Sequence, residues 1–300
     1  MKIVVTGGSG FIGSALLPRL VAEGHDVILL TRKSNTPRSS QRVRIEQWDG
    51  KTIGSWAKHV DGADAVLNFA GESIGGKRWT AAQKERIIKS RVDATTAICG
   101  AIDSAVKKPL TLVNASAVGF YGPVEDRDVA EDHPRGNTFL SETVDRWESA
   151  AHQAEKFGVR VVLLRTAVVL GKGGALERMV LPFRLFAGGP VGSGRQWFPW
   201  IHVDDLVSIV LLALDNKSLS GAVNVVAPQT VTMKEFSAEL GKALHRPSWV
   251  PVPGVVLNVA LGEMSGMLLT GQRVVPGVLQ REGYNFRFPR LGPALLDILR

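Results

Sequence analysis

The sequence of 300 residues predicts an α/β fold, a doubly wound parallel sheet with a smaller, partly interleaved C-terminal lobe. Apolar segments of strand length alternate with segments of helical periodicity, which is the pattern of βαβ units. The strand segments are nearly continuous apolar runs, as expected where helices cover both faces of a sheet. A glycine-rich turn, GGSGFIG, separates the first strand from the first helix.

The predicted elements follow one another regularly through the first 170 residues. KIVVT is the first strand, SALLPRLVAEG is the first helix, and HDVILLTRK, RVRIEQWD and AVLNFAG are the next three strands. The long helix TAAQKERIIKSRVDATTAICGAIDSA leads to the strand LTLVNASAVGF, the helix SETVDRWESAAHQAEKFG and the strand VRVVLLRTAVVLG. Strands linked by helices in this order build one parallel sheet.

The glycine-rich turn predicts a dinucleotide site and hence a Rossmann-type sheet. Glycines at its first, fourth and seventh positions allow a tight turn, close approach of the backbone to a pyrophosphate and close packing of helix on strand. The N-terminus of the following helix supplies N–H donors and a positive dipole. The expected cofactor contacts from this turn are Thr6, Gly7, Gly8, Ser9, Gly10, Phe11, Ile12 and Gly13.

The end of the second strand favours NADP over NAD. An acidic residue there would bind the ribose 2′-hydroxyl of NAD, but this chain has Thr31, Arg32 and Lys33. A guanidinium suits a 2′-phosphate, so Arg32 is the expected reader of NADP. Asp49, after the third strand, is placed either to meet the adenine amine or to cap a turn.

The domain boundaries follow from a change in composition. Residues 1–170 are predicted to form the dinucleotide-binding domain, to which residues 203–227 return with one helix and one strand. Residues 171–202, rich in Gly, Pro and Trp, and residues 228–300 form the smaller lobe.

Composition narrows the functional class. Apolar residues make up 45% of the chain and charged residues 21%, which indicates a globular protein. The net charge is +8, but the cations are dispersed and no nucleic-acid motif accompanies them. One cysteine, no apolar run of membrane-spanning length, no metal-ligand spacing and no signal-peptide pattern lead us to expect a cytoplasmic protein with a small-molecule substrate and neither membrane nor nucleic-acid partner.

The motifs together resemble an extended short-chain dehydrogenase/reductase. The glycine-rich turn, LNFAG, NASAVGFYG and IHVDD occur in the order found in that family. KRWT, RTAVVLGKGGAL, WFPWIHVDD and the C-terminal LLTGQRVVPGVLQREGYNFRFPRLGPAL resemble its atypical branch, the epimerase family proteins with a small C-terminal domain of unknown function. The resemblance covers essentially the whole chain and implies a homodimer built on helices within residues 80–105 and 141–156.

The resemblance also implies roles for particular residues. Asn68, Phe69, Ala70 and Gly71 are expected to line the ribose and nicotinamide of the cofactor, with Glu72 directly after them. Ser116 corresponds to the serine that hydrogen-bonds the reacting oxygen of the substrate. In IHVDD, His202 is expected to be a structural hydrogen-bonding residue, and Asp204 or Asp205 to cap the following helix.

Three departures from the family place its chemistry in question. The family uses Tyr-x-x-x-Lys as acid and base, but Leu140 and Val144 stand at those positions. Arg91 occupies the position of an asparagine that supports a proton relay. Phe198 stands where sugar-nucleotide enzymes carry an arginine for the diphosphate, although Arg195 is near.

Several residues are candidates to replace the missing acid. Tyr121 follows Ser116 by five residues, and Arg91 could supply the cation that a phenol needs to act near neutral pH. The other candidates are the carboxylates Glu72, Glu142, Asp145 and Glu148. The aromatic loop 188–200 is expected to form a pocket wall for a partly apolar ligand.

Three functions fit these observations. The first is an NADP-dependent oxidoreductase acting on a small carbonyl or alcohol, with Ser116 and Tyr121 as catalytic residues. The second is an NADP-binding sensor or scaffold without turnover. The third and weakest is a sugar-nucleotide epimerase.

Overall fold

The computed structural model describes residues 1–32, 41–124 and 126–300, so Lys33 lies outside the described residues. Within these ranges the strands are β1 Lys2–Thr6, β2 Asp26–Thr31, β3 Val43–Gln47, β4 Ala65–Asn68, β5 Thr111–Ala117, β6 Asp128–Val129, β7 Arg160–Thr166, β8 Val168–Leu170, β9 Trp200–His202, β10 Gly221–Val225 and β11 Arg273–Val274. The helices are α1 Phe11–Ala22, α2 Ala81–Ser104, α3 Phe139–Ala151, α4 Gly174–Arg184, α5 Val203–Asp215, α6 Met233–Leu244, α7 Gly254–Leu261, α8 Gly266–Leu269, α9 Gly277–Arg281 and α10 Leu291–Leu299.

A seven-stranded parallel sheet forms the centre of the molecule, which confirms the predicted fold class. Its strand order is β10-β7-β5-β4-β1-β2-β3. The order reverses between β4 and β1, where Thr6 pairs with Asn68 at the carboxyl ends of the strands. A reversal of this kind opens a crevice at the carboxyl edge, where ligands of doubly wound sheets bind.

Helices cover both faces of the sheet because its strands are apolar on both sides. On one face, Val5 and Leu29 pack with Leu16 of α1 and Ile209 of α5, and this core continues into residues of α6 and α10. On the other face, α2 and α3 contribute the second core, which includes Ile98. One apolar core is therefore shared between the sheet and the C-terminal segment.

The predicted strand over residues 159–171 is wrong in one respect, because it divides into β7 and β8. The amide of Ala167 donates to the carbonyl of Val225 in the main sheet (3.1 Å), whereas that of Val168 donates to Pro199 (3.1 Å). The chain therefore leaves the sheet after Thr166, and β8 pairs in parallel with β9. A second small pair joins β6 to β11.

No helix in the described parts of the chain is both long and apolar enough to cross a bilayer.

Candidate cofactor and substrate site

The turn after β1 forms a cradle that only glycine permits. Gly7 has φ +69°, and a Cβ there would lie 2.4 Å from the carbonyl oxygen of Phe69. A Cβ on Gly13 would lie 2.3 Å from the Cα of Gly8. Gly10 is the N-cap of α1, whose first turn carries no acidic residue, so the helix dipole remains available to an anion. This geometry fits a pyrophosphate.

Phe11 and Ile12 of the turn serve packing. Ser9 is exposed, whereas Ile12 packs against the core. The ring of Phe11 lies against the loop that follows β8, where a Cβ on Gly171 would come within 2.8 Å of it. Phe11 therefore ties the cofactor loop to the second lobe and does not reach into the crevice through its ring.

The side chains of Thr6 and Asn68 support the crevice from below. Both are fully buried, and Thr6 Oγ1 donates to Asn68 Oδ1 at 2.7 Å. Asn68 Nδ2 donates to Thr95 and Asn114. Thr6 Oγ1 also accepts the amide of Ala70, at 3.1 Å. The two side chains therefore fix the course of the loop after β4.

The carboxyl ends of β2 and β3 border an open cavity of about 550 Å³, lined by Arg32, Asp49 and Trp48 among others. The Arg32 side chain is exposed here, and Thr31 is buried at the end of β2. The Asp49 carboxylate accepts the amides of Lys51 and Thr52. It also accepts the Thr52 hydroxyl at 2.6 Å, and these hydrogen bonds, the hydroxyl first, lower its pKa to about 2. Asp49 therefore takes the turn-capping role.

The Glu72 carboxylate contacts side chains of α2. Its Oε1 accepts from Gln83 Nε2 at 2.8 Å and lies 3.8 Å from Arg86 Nε. The amide of Glu72 donates to Ser90 Oγ, which anchors the segment after Gly71 to the same helix.

Arg91 lies against the end of the loop after β4. Its side chain is only 8% exposed, and Nη1 donates to the carbonyl of Ile87 at 3.0 Å. The guanidinium stacks over the Trp147 ring, 5.1 Å from its centroid. A Cβ on Gly71 would lie 3.2 Å from Arg91 Cζ, so the guanidinium faces bare backbone. Burial lowers the arginine pKa to about 10, partly offset by Glu72.

The Ser116 side chain belongs to a buried ionic network. Its hydroxyl donates to Glu148 Oε1 at 2.5 Å. Glu148 is paired with Arg165 through two hydrogen bonds, 2.9 Å from Nε and 2.8 Å from Nη2. The residues of this pair have side chains only 7% exposed. The Ser116 hydroxyl and the Glu148 carboxylate are thus hydrogen-bonded within the protein, and the role of Ser116 toward a substrate oxygen stays a prediction.

Tyr121 belongs to the same network. Its hydroxyl donates to Asn224 Oδ1 at 2.6 Å and accepts from Arg165 Nη1 at 3.0 Å. Burial raises the pKa of Tyr121 to about 12, although the Arg165 charge opposes the shift. The cation beside the phenol is therefore Arg165 and not Arg91, and the phenol stays neutral near pH 7.

Sequence reasoning missed Arg165 and Asn224. Arg165 interrupts the apolar run VRVVLLRTAVVLG. A charge in the middle of a buried strand requires a buried partner, and this was the available signal. Asn224 gave no comparable signal, because it lies 103 residues from Tyr121 in a separate segment.

Helix α3 has no proton donor at the two family positions. Thr138 caps the helix, its hydroxyl accepting the amide of Ser141 at 3.1 Å. Leu140 follows in the first turn beside Gly119, and Val144, one turn on, is buried. Glu142 pairs with Arg146 on the exposed side of the helix.

The aromatic loop contributes less to a pocket than expected. Phe198 and Trp200 are buried, and Phe198 packs on Phe236 with ring centroids 4.2 Å apart. Arg195 is exposed. The loop therefore anchors the second lobe, and its bulky rings fill the core.

The IHVDD segment begins α5 in a different way from that predicted. The N-cap is His202, whose Nδ1 accepts the amide of Asp204 at 3.1 Å. Asp205 instead accepts the amides of Arg287 and Phe288, at 2.8 and 2.9 Å. His202 is thus structural, as expected, and Asp205 connects α5 to the C-terminal segment.

A glycine cradle at the reversal point of a parallel sheet, with a loop after β4 facing it, defines a dinucleotide-binding α/β protein of the short-chain dehydrogenase/reductase type. The model of the NAD dependent epimerase/dehydratase family matches residues 3–226, and that of a domain of unknown function, DUF1731, matches residues 252–298. The chain belongs to the NAD dependent epimerase/dehydratase family.

Relatives match over the full chain. The epimerase family protein YfhF of Bacillus subtilis is 39% identical over 302 residues, covering 100% of this chain and 98% of the relative. The chloroplastic SDR39U1 homologue of Arabidopsis thaliana is 41% identical, covering 100% of this chain and 87% of its own. The crystal structure of human epimerase family protein SDR39U1 (isoform 2), solved with NADPH, superposes with a TM-score of 0.90 at 38% identity and 99% coverage of both chains.

Proposed function

We propose that this protein binds NADP(H) and transfers hydride to or from a small carbonyl or alcohol substrate. The glycine cradle of residues 7–13 carries the proposal. It places backbone N–H groups at the N-terminus of α1, and its glycines leave no side chain in the space where a pyrophosphate would bind. The exposed Arg32 at the end of β2 supports the choice of NADP, because a guanidinium binds a 2′-phosphate through charge-assisted hydrogen bonds. The human relative crystallised with NADPH supports it independently.

Different segments of the chain bind different parts of the cofactor. The turn 7–13 holds the pyrophosphate, Arg32 holds the 2′-phosphate, and residues 69–71 border the nicotinamide ribose through the backbone course that Thr6 and Asn68 impose. The nicotinamide, when bound, supplies the hydride donor or acceptor. Water is the proposed proton source at the substrate oxygen, because Leu140 and Val144 carry none and the hydroxyls of Ser116 and Tyr121 are engaged.

A second candidate is an NADP-binding sensor without turnover. One observation favours it: the serine and tyrosine hydroxyls expected to act on substrate are both tied into the network around Arg165. Such a protein would change its interactions with cofactor occupancy and would not consume the cofactor.

One screen separates the two candidates. The purified protein is mixed with NADPH and a panel of aldehydes, ketones and 2-oxo acids, and cofactor oxidation is followed by nicotinamide absorbance. Gly13→Ala, which forces a Cβ onto Gly8, should abolish activity. Gly266→Ala is the matched control, since a Cβ there meets nothing within 4 Å.

Circular dichroism and the melting temperature establish that both variants are folded. Carbonyl-dependent oxidation that survives Gly13→Ala would contradict the proposed site. Tight binding of NADPH without turnover on any carbonyl would favour the sensor, and absence of NADPH binding would overturn both candidates.

A further inference from the structure

Arg91 carries a buried positive charge that no carboxylate neutralises directly. Within the described residues, no Asp or Glu oxygen lies within ion-pair distance of its guanidinium, and the one hydrogen bond it makes is from Nη1 to the Ile87 carbonyl. Buried guanidinium groups are ordinarily paired, since an isolated charge in a protein interior is costly. An arginine that is 8% exposed and lacks an ion-pair partner therefore has capacity for a ligand.

The neighbouring cations differ from Arg91 in this respect. Lys84 forms an ion pair with Glu263. Arg86 Nη2 donates to Gln83, and its Nε lies 3.8 Å from Glu72. Glu72, the carboxylate that acts on Arg91 from a distance, is itself occupied by Gln83 and Arg86. The charge of Arg91 is thus the unpaired one on this part of α2.

The Nη2 edge of Arg91 lies beside Gly71, in the loop after β4. Trp147 covers one face of the guanidinium, and Ile87 engages Nη1. Nη2 lies 3.4 Å from the position of a Cβ on Gly71, at the exposed end of the loop that borders the reversal point of the sheet. Gly71 has no side chain, so the guanidinium packs directly against the backbone at this exposed end of the loop.

The chemistry of the site favours a carboxylate. A guanidinium presents two parallel N–H donors that match the two oxygens of a carboxylate, and the aromatic face of Trp147 holds it in one plane. A diphosphate would call for more than one cation. The residue at the family's diphosphate position, Phe198, is buried, and the nearby Arg195 is exposed.

We propose that Arg91 binds the carboxylate of the substrate and so selects 2-oxo acids or 2-hydroxy acids over uncharged carbonyl compounds. This inference rests on the proposed NADP-dependent function, since it places the carboxylate beside the loop that borders the nicotinamide. Arg91 is a specificity residue in this account, and cofactor binding does not depend on it.

Isothermal titration calorimetry on the full-length protein tests the proposal. NADP binding is measured first, and the NADP-loaded protein is then titrated with oxamate, an inert analogue of a 2-oxo acid, and with oxamide, its uncharged counterpart. Wild-type protein should bind oxamate at least about tenfold more tightly than oxamide. Arg91→Gln should remove that preference with NADP affinity unchanged, and Arg91→Lys, which keeps the charge without the planar fork, should retain part of it. Arg86→Gln, on the same helix, is the matched control and should behave as wild type.

The outcomes distinguish failure of the proposed NADP-dependent function from failure of the carboxylate site. Failure of wild-type protein to bind NADP would overturn the proposed function. NADP binding with no preference for oxamate, or a preference that persists in Arg91→Gln, would overturn the carboxylate site alone. Loss of NADP affinity in both folded variants, Arg91→Gln and Arg91→Lys, would also overturn it, because Arg91 would then belong to the cofactor.

Discussion

Replacement of Glu148 by glutamine tests whether the Ser116–Arg165 network is structural. The carboxylate receives two hydrogen bonds from Arg165 and one from Ser116, with both partners of the ion pair buried. Glutamine keeps the shape but removes the charge, and its amide NH₂ must face either a guanidinium or a hydroxyl donor. Removing one partner of a buried pair costs about 3–5 kcal/mol, because the other charge stays buried.

The expected loss corresponds to a fall in melting temperature of roughly 6–20 °C, at about 2–4 °C per kcal/mol for large domains. Urea and thermal unfolding of wild type and Glu148→Gln give the difference directly. Glu142→Gln is the matched control on the same helix, since its pair with Arg146 is half exposed and is worth less than about 1 kcal/mol. A Glu148→Gln variant no less stable than Glu142→Gln would refute the structural account of this network.

Three further predictions follow from the buried groups. Ser116→Ala should cost about 1–3 kcal/mol of unfolding free energy, measured in urea, and should leave NADPH affinity within about twofold of wild type; a large loss of affinity in a fully stable variant would contradict a structural role for this hydroxyl. The chain has two tyrosines, and burial raises the pKa of Tyr121 to about 12 and that of Tyr284 beyond the usual range. Because these pKa values are raised, the neutral phenols contribute folding stability that is fully present below pH 10 and is lost as the pH rises toward 12. Phenolate absorbance should therefore appear only when the protein unfolds. A phenolate that titrates near pH 10 in the folded protein would contradict this prediction. Burial raises the pKa of Cys99 to about 11, so its thiol should react with a disulfide reagent only in denaturant. Rapid reaction of the thiol in buffer would contradict its burial.

The fold was predictable because its signals are local. Each strand of the sheet is an apolar run bounded by turn residues, and the alternation with helices specifies a parallel sheet. The glycine-rich turn needs no distant partner to be recognised, since Gly7 and Gly13 are required by the turn itself. The division after Thr166 into β7 and β8 was not predictable from the apolar run itself. It depends on two distant carbonyl groups, because Val225 accepts the amide of Ala167 and Pro199 accepts the next amide, that of Val168.

The chemistry of the site was less predictable, because facing side chains come from distant segments. Ser116 lies 32 residues from Glu148, and Tyr121 lies 103 residues from Asn224. The family resemblance assigns Ser116 to the substrate, and Tyr121 is a candidate because it follows Ser116 by five residues, but neither argument specifies which way a hydroxyl points. Strand register places Ser116 beside the buried Arg165, and a hydrogen bond from Arg165 to the phenol oxygen joins Tyr121 to the same network.

Cofactor selectivity is the central claim, and a fluorescence titration with NADPH and, in parallel, NADH tests it most directly. The account predicts micromolar binding of NADPH and much weaker binding of NADH. In Arg32→Ala, NADPH affinity should fall about 10–100-fold, the value of a charge-assisted contact, with NADH unaffected. Arg42→Ala, an exposed arginine that hydrogen-bonds to Gly24 and Asp26, is the matched control. Equal or tighter binding of NADH by wild-type protein, or an Arg32→Ala variant with unchanged preference, would contradict the account.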